Sequence, residues 1–543
     1  MGTVALRFGL SGLAAVLMFL AAPSADLWPL MWLAMVPQIH VALTSATPKR
    51  AFLHGWLTGI VANTAAFSWM RELLERFGHM PAVEALPIMM LLTTYQGLEF
   101  GLFSWGIYRV RQRTGWPMVA LAPLVMVAIE LCTPQIFPFY LAITQAWVPT
   151  VIQIADVTGP LGVTFVLVAF NGGIYDAVTR WRAGDRKSAR GPLVVVAALL
   201  LVTVGYGRLR MHQIDARSAA APKVKTGIVQ ANVGILEKWD PREFARLLDT
   251  HQRLSADLEA RGAELIVWPE SSYPYPLRRD MTYDFPEGDP RRVMRGFHKP
   301  LVFGAVTQTA GPRQTRADRY PYNTALIMQP DGAVTGKFDK VFLMLFGEYI
   351  PFYDQIPWFT KIFPEASNFN RGSTPASFSF SAGGRPYRLG PLICYEDIIP
   401  GFTRQVAGLN PNLFVNITND AWFGRTAEPH QHLALAVFRS VEHRLDMVRA
   451  VNTGVSAHID AVGRVVQQTA SVDPAQQPTP EPVTLLADVA MLEGGGLYRH
   501  IGDLFGLLCL AALIAGLVTR GRRPASPPAS RQPGRPASRR VRR

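Results

Sequence analysis

The chain has 543 residues, of which 49% are hydrophobic and only 17% are charged, and its formal charge is +14. Few soluble proteins of this size are so apolar, so the composition indicates a membrane protein. Its three cysteines, Cys132, Cys394 and Cys509, exclude a disulfide framework and a CxxC metal site.

Long apolar segments dominate the N-terminal part of the chain. Each is long enough to cross a hydrocarbon core, which takes about 20 helical residues. We predict seven spanning helices there, at 8–25, 27–46, 51–70, 85–108, 116–132, 159–175 and 192–207, and an eighth at 504–518. The first segment also has features of a cleaved signal peptide, but the spans that follow make an uncleaved first helix sufficient.

The positions of the basic residues predict the orientation, because lysine and arginine accumulate in cytoplasmic loops. They are concentrated in alternate connections, at 49–50, 109–113 and 180–190, which places the N-terminus inside and the region after the seventh span outside. The tail at 520–543 is rich in Arg, Pro and Ser and is expected to be disordered near anionic headgroups. Without aromatic interleaving or a recognition module, no nucleic-acid partner is expected.

Two carboxylates, Glu99 and Glu130, fall inside or at the end of predicted spans. A charge in lipid is costly, so each side chain is expected to face the bundle interior or water. Both are candidate functional groups. A structural pair with a polar neighbour, or a position near the interface, explains them equally well.

Between Ala221 and about Arg499, short β-rich runs alternate with amphipathic stretches. Strands are predicted at 224–233, 264–271, 300–308, 323–330, 389–394, 412–419, 454–461 and 483–489, and helices at 241–261 and 432–449. This alternation predicts one large α/β domain. The predicted organisation is a membrane domain at 1–220, the α/β domain at 221–499, a spanning helix at 500–519 and the tail at 520–543.

Three ionisable residues stand at the ends of predicted strands or in the loops after them: Glu270, Lys340 and Cys394. A catalytic cysteine needs a base and a positive group, because a thiol with a pKa of about 8.5 is a poor nucleophile. A carboxylate and an ammonium supply those two roles. Taken singly, the cysteine is explained as a buried structural residue and the charges as surface groups or a loop salt bridge.

The joint pattern resembles a known family. Glu270 in WPES, Lys340 eight residues before the glutamate of FGEYIP, and Cys394 in ICYE are similar to the Glu-Lys-Cys triad of the nitrilase (carbon–nitrogen hydrolase) superfamily. Within it, the apolar N-terminal part, TNDAWFG at 418–424 and the segment 449–465 resemble the apolipoprotein N-acyltransferase family. The chain has VFLMLFGE where that family commonly has HLVPFGE, which leaves the triad intact but alters the expected lining of the acyl pocket.

The resemblance implies a polytopic membrane domain of about eight helices joined to a nitrilase-like α-β-β-α sandwich. It implies that Cys394 is the nucleophile, Glu270 the general base and Lys340 the oxyanion stabiliser. The other implied site residues are supporting groups and aromatic residues near the mouth of the site: Glu348, Tyr395, Glu396, Trp239 and Trp422. The two tryptophans are equally well explained as core aromatics or interface anchors. No cofactor and no metal are implied.

The implied activity is acyl transfer in two steps, from a phospholipid to Cys394 and then to the α-amino group of the diacylglyceryl-cysteine of an apolipoprotein. The expected partners are these two substrates and membrane lipid. The enzyme is expected to be a monomer in the cytoplasmic (inner) membrane, with its catalytic domain on the periplasmic side. The apolar stretches 342–346 and 352–363 are candidate lids or membrane-dipping arms, or core segments.

Two other functions remain open at this point. A membrane-anchored amidase with the same triad would hydrolyse a small C–N substrate, although such a substrate needs no helical bundle. A transporter or channel with an extracytoplasmic binding domain would account for Glu99 and Glu130 but leaves the triad unexplained.

Overall fold

The structure is a computed structural model that describes residues 2–76, 78–309, 320–345, 347–350, 368–470 and 480–518. Its N-terminal part consists of helices and their connections. The helices are α1 (Gly2–Ala21), α2 (Met31–Ala34), α3 (Val36–Thr44), α4 (Pro48–Ala66), α5 (Trp69–Arg76), α6 (Ala82–Thr114), α7 (Met118–Cys132), α8 (Pro149–Ile152), α9 (Ala155–Thr158), α10 (Pro160–Arg182) and α11 (Arg186–Ala220).

Among the described residues, three helices are long and apolar enough to cross a membrane: Val4–Ala21 within α1, α10 and α11. Helix α7 and the C-terminal helix Leu504–Val518 are apolar but shorter. The predicted count of eight spans is therefore not established. The segment 27–46 is not one helix. Pro29 lies in a 3-10 turn at 28–30, and Pro37 lies in the first turn of α3, where proline's missing N–H is tolerated.

Helices α4 and α6 approach closely because glycines lie at their contact. A Cβ atom on Gly59 would lie 2.6 Å from the carbonyl oxygen of Gly97, so a larger residue at this position would push the helices apart. Close packing of small residues is the usual way in which membrane helices associate. These contacts hold α6, which carries Glu99, in the helical bundle.

Glu99 and Glu130 both face the interior of the bundle. Glu99 Oε1 accepts a hydrogen bond from Gln135 Nε2 at 2.6 Å, and Glu130 Oε1 accepts one from the backbone N–H of Leu141 at 2.8 Å. Both carboxylates line a cavity of about 520 Å³. Their polar neighbours favour the structural interpretation of the pair.

The region after Ala220 contains two β-sheets and the helices that cover them. The strands are β1 (Lys223–Gln230), β2 (Leu265–Val267), β3 (Tyr273–Arg278), β4 (Leu301–Gln308), β5 (Tyr322–Met328), β6 (Val334–Asp339), β7 (Phe378–Ala382), β8 (Arg385–Ile393), β9 (Leu413–Thr418), β10 (Met447–Val451), β11 (Ala457–Ile459), β12 (Val465–Gln468) and β13 (Val483–Ala490). The helices are α12 (Ile235–Lys238), α13 (Phe244–Ala260), α14 (Pro400–Gly408), α15 (Glu428–His443), α16 (Tyr498–Ile501) and α17 (Leu504–Val518).

The first sheet has the strand order β13-β1-β2-β4-β5-β6, with β3 paired to β4, and the second has the order β12-β11-β10-β9-β8-β7. Strands β8, β9 and β10 are parallel neighbours. Their sequences are near-continuous apolar runs because parallel strands are covered on both faces.

The two sheets pack face to face between layers of helices. Ile228 and Ile327 of the first sheet share one apolar core with Leu392 and Val415 of the second. Helix α13 covers the outer face of the first sheet, where its Leu258 packs in a cluster with Trp268, Phe303 and other apolar side chains. Helices α14 and α15 cover the second sheet. The predicted α-β-β-α layering is therefore present.

The predicted helix at 432–449 is wrong at its C-terminal end. Helix α15 ends at His443, Arg444 has a left-handed φ of +54°, and β10 begins at Met447. Arg444 is fully buried and its guanidinium lies 2.8 Å from Asp156 Oδ2 in the N-terminal part. This ion pair between distant residues accompanies the end of the helix at His443. Helical periodicity in the sequence does not reveal it.

We expect Arg444→Met to lower the free energy of unfolding by about 3 kcal/mol, because a buried carboxylate loses a cation. The expected loss is small for a buried ion pair, because Arg210 remains 2.9 Å from Asp156. The matched control is Arg464→Met, which removes a half-exposed pair with Asp215 and is expected to cost at most about 1 kcal/mol. Thermal unfolding in detergent measures both variants, and equal shifts would contradict the buried-pair argument.

Candidate active site

The ends of three strands bring the predicted triad together. Glu270 lies three residues after β2, and Lys340 directly follows β6, both in the first sheet. Cys394 directly follows β8 in the second sheet. Because the sheets pack face to face, these strand ends meet: Lys340 Nζ lies 3.1 Å from Glu270 Oε1, and both charges act on the Cys394 thiol.

Lys340 is the centre of a buried polar network. Its Nζ also lies 2.7 Å from Glu348 Oε2, and Asn323 Nδ2 donates to Glu270 Oε1 at 2.6 Å and to Glu348 Oε1 at 2.7 Å. Although burial lowers the pKa of Lys340, the Glu270 and Glu348 carboxylates raise it well above its usual value. The side chain therefore stays an ammonium, and two of its three N–H groups face carboxylates.

Cys394 is held in a strained backbone conformation. Its φ is +51°, in the left-handed region that a residue with a Cβ rarely adopts, and a 3-10 turn, Cys394–Ile398, follows at once. Asn416 Nδ2 donates to the carbonyl oxygen of Cys394 at 3.1 Å. Burial and the Glu270 charge raise the pKa of the thiol well above its usual value, despite Lys340. At neutral pH the sulfur is therefore a thiol, and its deprotonation requires a base.

Glu396 connects the loop of Cys394 with the loop of Lys340. Its carboxylate accepts hydrogen bonds from the backbone N–H of Ile393 at 2.9 Å, of Val341 at 2.6 Å and of Phe342 at 3.1 Å. Burial raises the pKa of this fully buried group to about 8. Glu396 acts on the positions of the two loops.

An apolar cavity of about 470 Å³ opens beside Cys394. Its walls come from both parts of the chain and include Phe67, Trp69, Phe137, Phe139, Phe423 and Leu435. Tyr395 lines it too, and its hydroxyl donates to the carbonyl oxygen of Ile136 at 2.6 Å. The cavity thus lies between the helical part and the α/β domain.

The remaining predicted residues lie around this centre. Trp239 is 49% exposed, and Lys238 Nζ lies 5.8 Å from its ring centroid. Trp422 is half-buried and packs on the apolar cluster that contains Phe67 and Phe423. In the predicted arm 342–346, the Phe342 ring packs on Phe402 at 5.2 Å. Phe346 and the predicted arm 352–363 lie outside the described residues.

Several polar residues of the site were not predicted from the sequence. Lys238 is buried, donates to the carbonyl oxygen of Glu270 at 2.9 Å, and has a pKa that burial lowers to about 8. Asn323 joins the two carboxylates. Two signals in the sequence could have indicated these residues. Lys238 stands beside Trp239, and Asn323 stands at the start of a predicted strand. A second buried charged group contains Asp397, Asp420, His432 and Arg449, and no sequence spacing predicts it.

Comparisons with known proteins match both parts of the chain. Residues 14–173 match the apolipoprotein N-acyltransferase N-terminal domain, and residues 225–484 match the carbon-nitrogen hydrolase family. The chain is 32% identical over 519 residues to the apolipoprotein N-acyltransferase of Geobacter metallireducens, covering 94% of each chain. It is 33% identical over 327 residues to that of Bradyrhizobium diazoefficiens, covering 58% of each. An amidase from Nesterenkonia sp. matches 53% of this chain and 97% of its own, at 20% identity and a TM-score of 0.36.

Proposed function

The chain belongs to the apolipoprotein N-acyltransferase family, and from this premise we propose that Cys394 carries the acyl chain between two lipid-anchored substrates as a thioester. The protein is an acyltransferase of the carbon–nitrogen hydrolase superfamily that acts in lipoprotein N-acylation. The acyl donor is a phospholipid, and the acceptor is the α-amino group of the diacylglyceryl-cysteine that begins an apolipoprotein. The observation that supports the thioester route best is the position of Cys394 on the wall of an apolar cavity.

In the first half-reaction, Glu270 takes the thiol proton as the sulfur attacks the ester carbonyl of the phospholipid. The carbonyl oxygen becomes an oxyanion, which the third N–H of Lys340 and the backbone N–H of Tyr395 stabilise. Collapse of the intermediate breaks the C–O bond, and the proton on Glu270 passes to the departing lysophospholipid oxygen. The acyl chain remains on Cys394 as a thioester.

In the second half-reaction, the uncharged α-amino nitrogen attacks the thioester carbon and the C–S bond breaks. Glu270 takes one proton from the nitrogen and returns it to the sulfur. The product is an amide, and Cys394 is a thiol again. Glu348 and Glu396 are positioning residues, because each holds Lys340 or its loop in place.

The apolar cavity suits the waiting acyl-enzyme. A thioester must be kept from water until the acceptor arrives, and aromatic side chains from both parts of the chain surround the sulfur. Trp239 and Trp422 are the proposed substrate contacts near the entrance. Both substrates are anchored in lipid, so a catalytic domain held at the membrane meets them by lateral diffusion.

The finer membrane arrangement is part of the proposal. The division at 1–220, 221–499, 500–519 and 520–543, the eight spans, and a periplasmic catalytic domain in the inner membrane are supported by the alternation of basic loops. The proposed form is a monomer.

We expect purified protein mixed with phospholipid alone to gain the mass of one acyl group, and hydroxylamine to remove it. Intact-mass spectrometry measures the adduct, and Cys394→Ala is expected to show none. Failure of the wild type to form an adduct, or a hydroxylamine-labile adduct on Cys394→Ala, would contradict the route. A diacylglyceryl-cysteine peptide is expected to discharge the adduct. Equally fast discharge by water would instead favour the membrane-anchored amidase.

A further inference from the structure

The attacking amine brings a proton that the triad does not remove. An α-amino group has a pKa of about 7.7–8.0, so at neutral pH it arrives largely as an ammonium. Attack by this group on a thioester yields an amide, a thiol and one further proton. Glu270 returns its proton to Cys394, so the further proton leaves either to bulk water before the amine enters the site or to a second acceptor within the site.

A second carboxylate site lies on the wall of the same cavity. Glu428 in the first turn of α15 and His432 one turn later both line the cavity that contains Cys394. Asp420 lies beside them in the turn after β9. One oxygen of each carboxylate and one ring nitrogen of His432 lie within 4.8 Å of one another. His432 Nδ1 lies 3.5 Å from Asp420 Oδ1 and 3.8 Å from Glu428 Oε1.

Glu428, when ionised, lies among more negative than positive charges. Arg449 and His432 both donate to Asp397, the latter through Nε2 at 2.8 Å. Although burial lowers the pKa of His432, the Asp397 carboxylate raises it to about 10. Two cations therefore offset Asp397 and Asp420, and an ionised Glu428 adds one negative charge without a cation among the described residues.

Among the described residues, two buried carboxylate oxygen atoms of the site lack a hydrogen-bond donor. Within the described part of the chain, Glu428 Oε2 and Asp420 Oδ2 accept no hydrogen bond, although the Asp420 side chain is fully buried. A buried acceptor of this kind is costly unless a donor reaches it. A bound ammonium group would supply the missing donor.

We propose that Glu428, with Asp420 beside it, binds the α-ammonium group of the apolipoprotein and takes the proton that this group loses before it attacks the acylated Cys394. This inference rests on the thioester route proposed above. One N–H bond breaks, the proton moves to a Glu428 carboxylate oxygen, and a neutral acid and a free amine result. The group that this site would recognise is a primary alkylammonium. The ethanolamine headgroup of a donor phospholipid carries the same group.

Burial and the Asp420 charge raise the pKa of Glu428, which makes its carboxylate a stronger acceptor for the ammonium proton. The charged groups that face Glu428 are Asp420, His432, Asp397 and Arg449. Towards the helical part, the cavity wall is apolar, with the neutral Gln431 at its edge.

The test compares the two half-reactions of Glu428→Gln by intact mass in single turnovers. We expect acyl-enzyme formation to stay within about twofold of the wild type, and discharge by a diacylglyceryl-cysteine peptide to slow by about 10²-fold. The deficit is expected to grow as the pH falls below about 8, because the variant must then wait for the ammonium to lose its proton to solvent. Above that pH it narrows, because the amine arrives uncharged. Glu287→Gln, an exposed glutamate of the same domain, is the matched control.

Four outcomes would contradict or decide the assignment. Equal discharge by Glu428→Gln and the wild type at pH 7 overturns it. Slower acyl-enzyme formation from phosphatidylethanolamine but not from phosphatidylglycerol overturns the assignment to the acceptor, because the site would then bind the donor headgroup. If both half-reactions of Glu428→Gln fail, Glu428→Asp decides: slower discharge with intact acylation supports the proposal, and unchanged discharge overturns it. Absence of any adduct on the wild type contradicts the thioester route itself.

Discussion

Replacing Glu270 by glutamine is expected to slow acyl-enzyme formation by about 10³-fold, because the amide cannot take the thiol proton. The same change is expected to let Cys394 ionise at a lower pH. The Glu270 charge raises the pKa of the thiol, and Lys340, which opposes it, stays in place. Glutamine has nearly the size of glutamate and can still accept the hydrogen bond that Asn323 donates.

Two measurements separate these effects. Intact-mass time courses with phospholipid give the rate of acylation, and alkylation of Cys394 by iodoacetamide across a pH series reports the thiolate. The alkylation curve of Glu270→Gln is expected to lie at lower pH than that of the wild type, while its acylation is nearly lost. Acylation at the wild-type rate would rule out Glu270 as the base. An unchanged alkylation curve would contradict the electrostatic argument.

Replacing Lys340 by methionine is expected to slow acyl-enzyme formation by about 10²–10³-fold, because the oxyanion loses its charged donor. It is also expected to destabilise the protein by about 3 kcal/mol at pH 8, because Glu270 and Glu348 lose the cation that contacts both of them. The cost is expected to be smaller at pH 5, where protonation relieves the unpaired charge.

Thermal unfolding at both pH values, together with the acylation time course, checks this expectation. Lys337→Met is the matched control, since Lys337 lies on the same strand, β6, but is exposed. The control is expected to keep both activity and stability. A destabilisation of Lys340→Met that is the same at pH 5 and pH 8 would show that lost packing, rather than unpaired charge, is the cause.

Local patterns predicted much of the α/β domain and the residues of the triad. The apolar runs that became β1, β4, β5, β8 and β9 are bounded by turn residues, and buried strands need such runs whatever their partners are. Glu270, Lys340 and Cys394 were recognised because each stands just after a strand or in the loop that follows. Their assembly depends on two sheets packing face to face, which the sequence indicated only through its resemblance to a family.

The features that could not be predicted depend on contacts between distant residues. Arg444 interrupts an apparently helical segment where its side chain reaches Asp156, 288 residues earlier in the chain. Glu428 stands in an ordinary first helical turn, and only the fold places it beside Asp420 on the cavity of Cys394. Proline positions divide the segment 27–46, where hydropathy alone indicated a single span.

The shared wall of the acyl cavity has a consequence for biogenesis. Phe137 and Phe139 come from the connection between α7 and α8, and the carbonyl oxygen of Ile136 accepts a hydrogen bond from Tyr395 next to the nucleophile. The acyl cavity is therefore complete only after the N-terminal helices and the α/β domain have packed together. A newly synthesised chain would begin to consume phospholipid only once its assembly in the bilayer is finished.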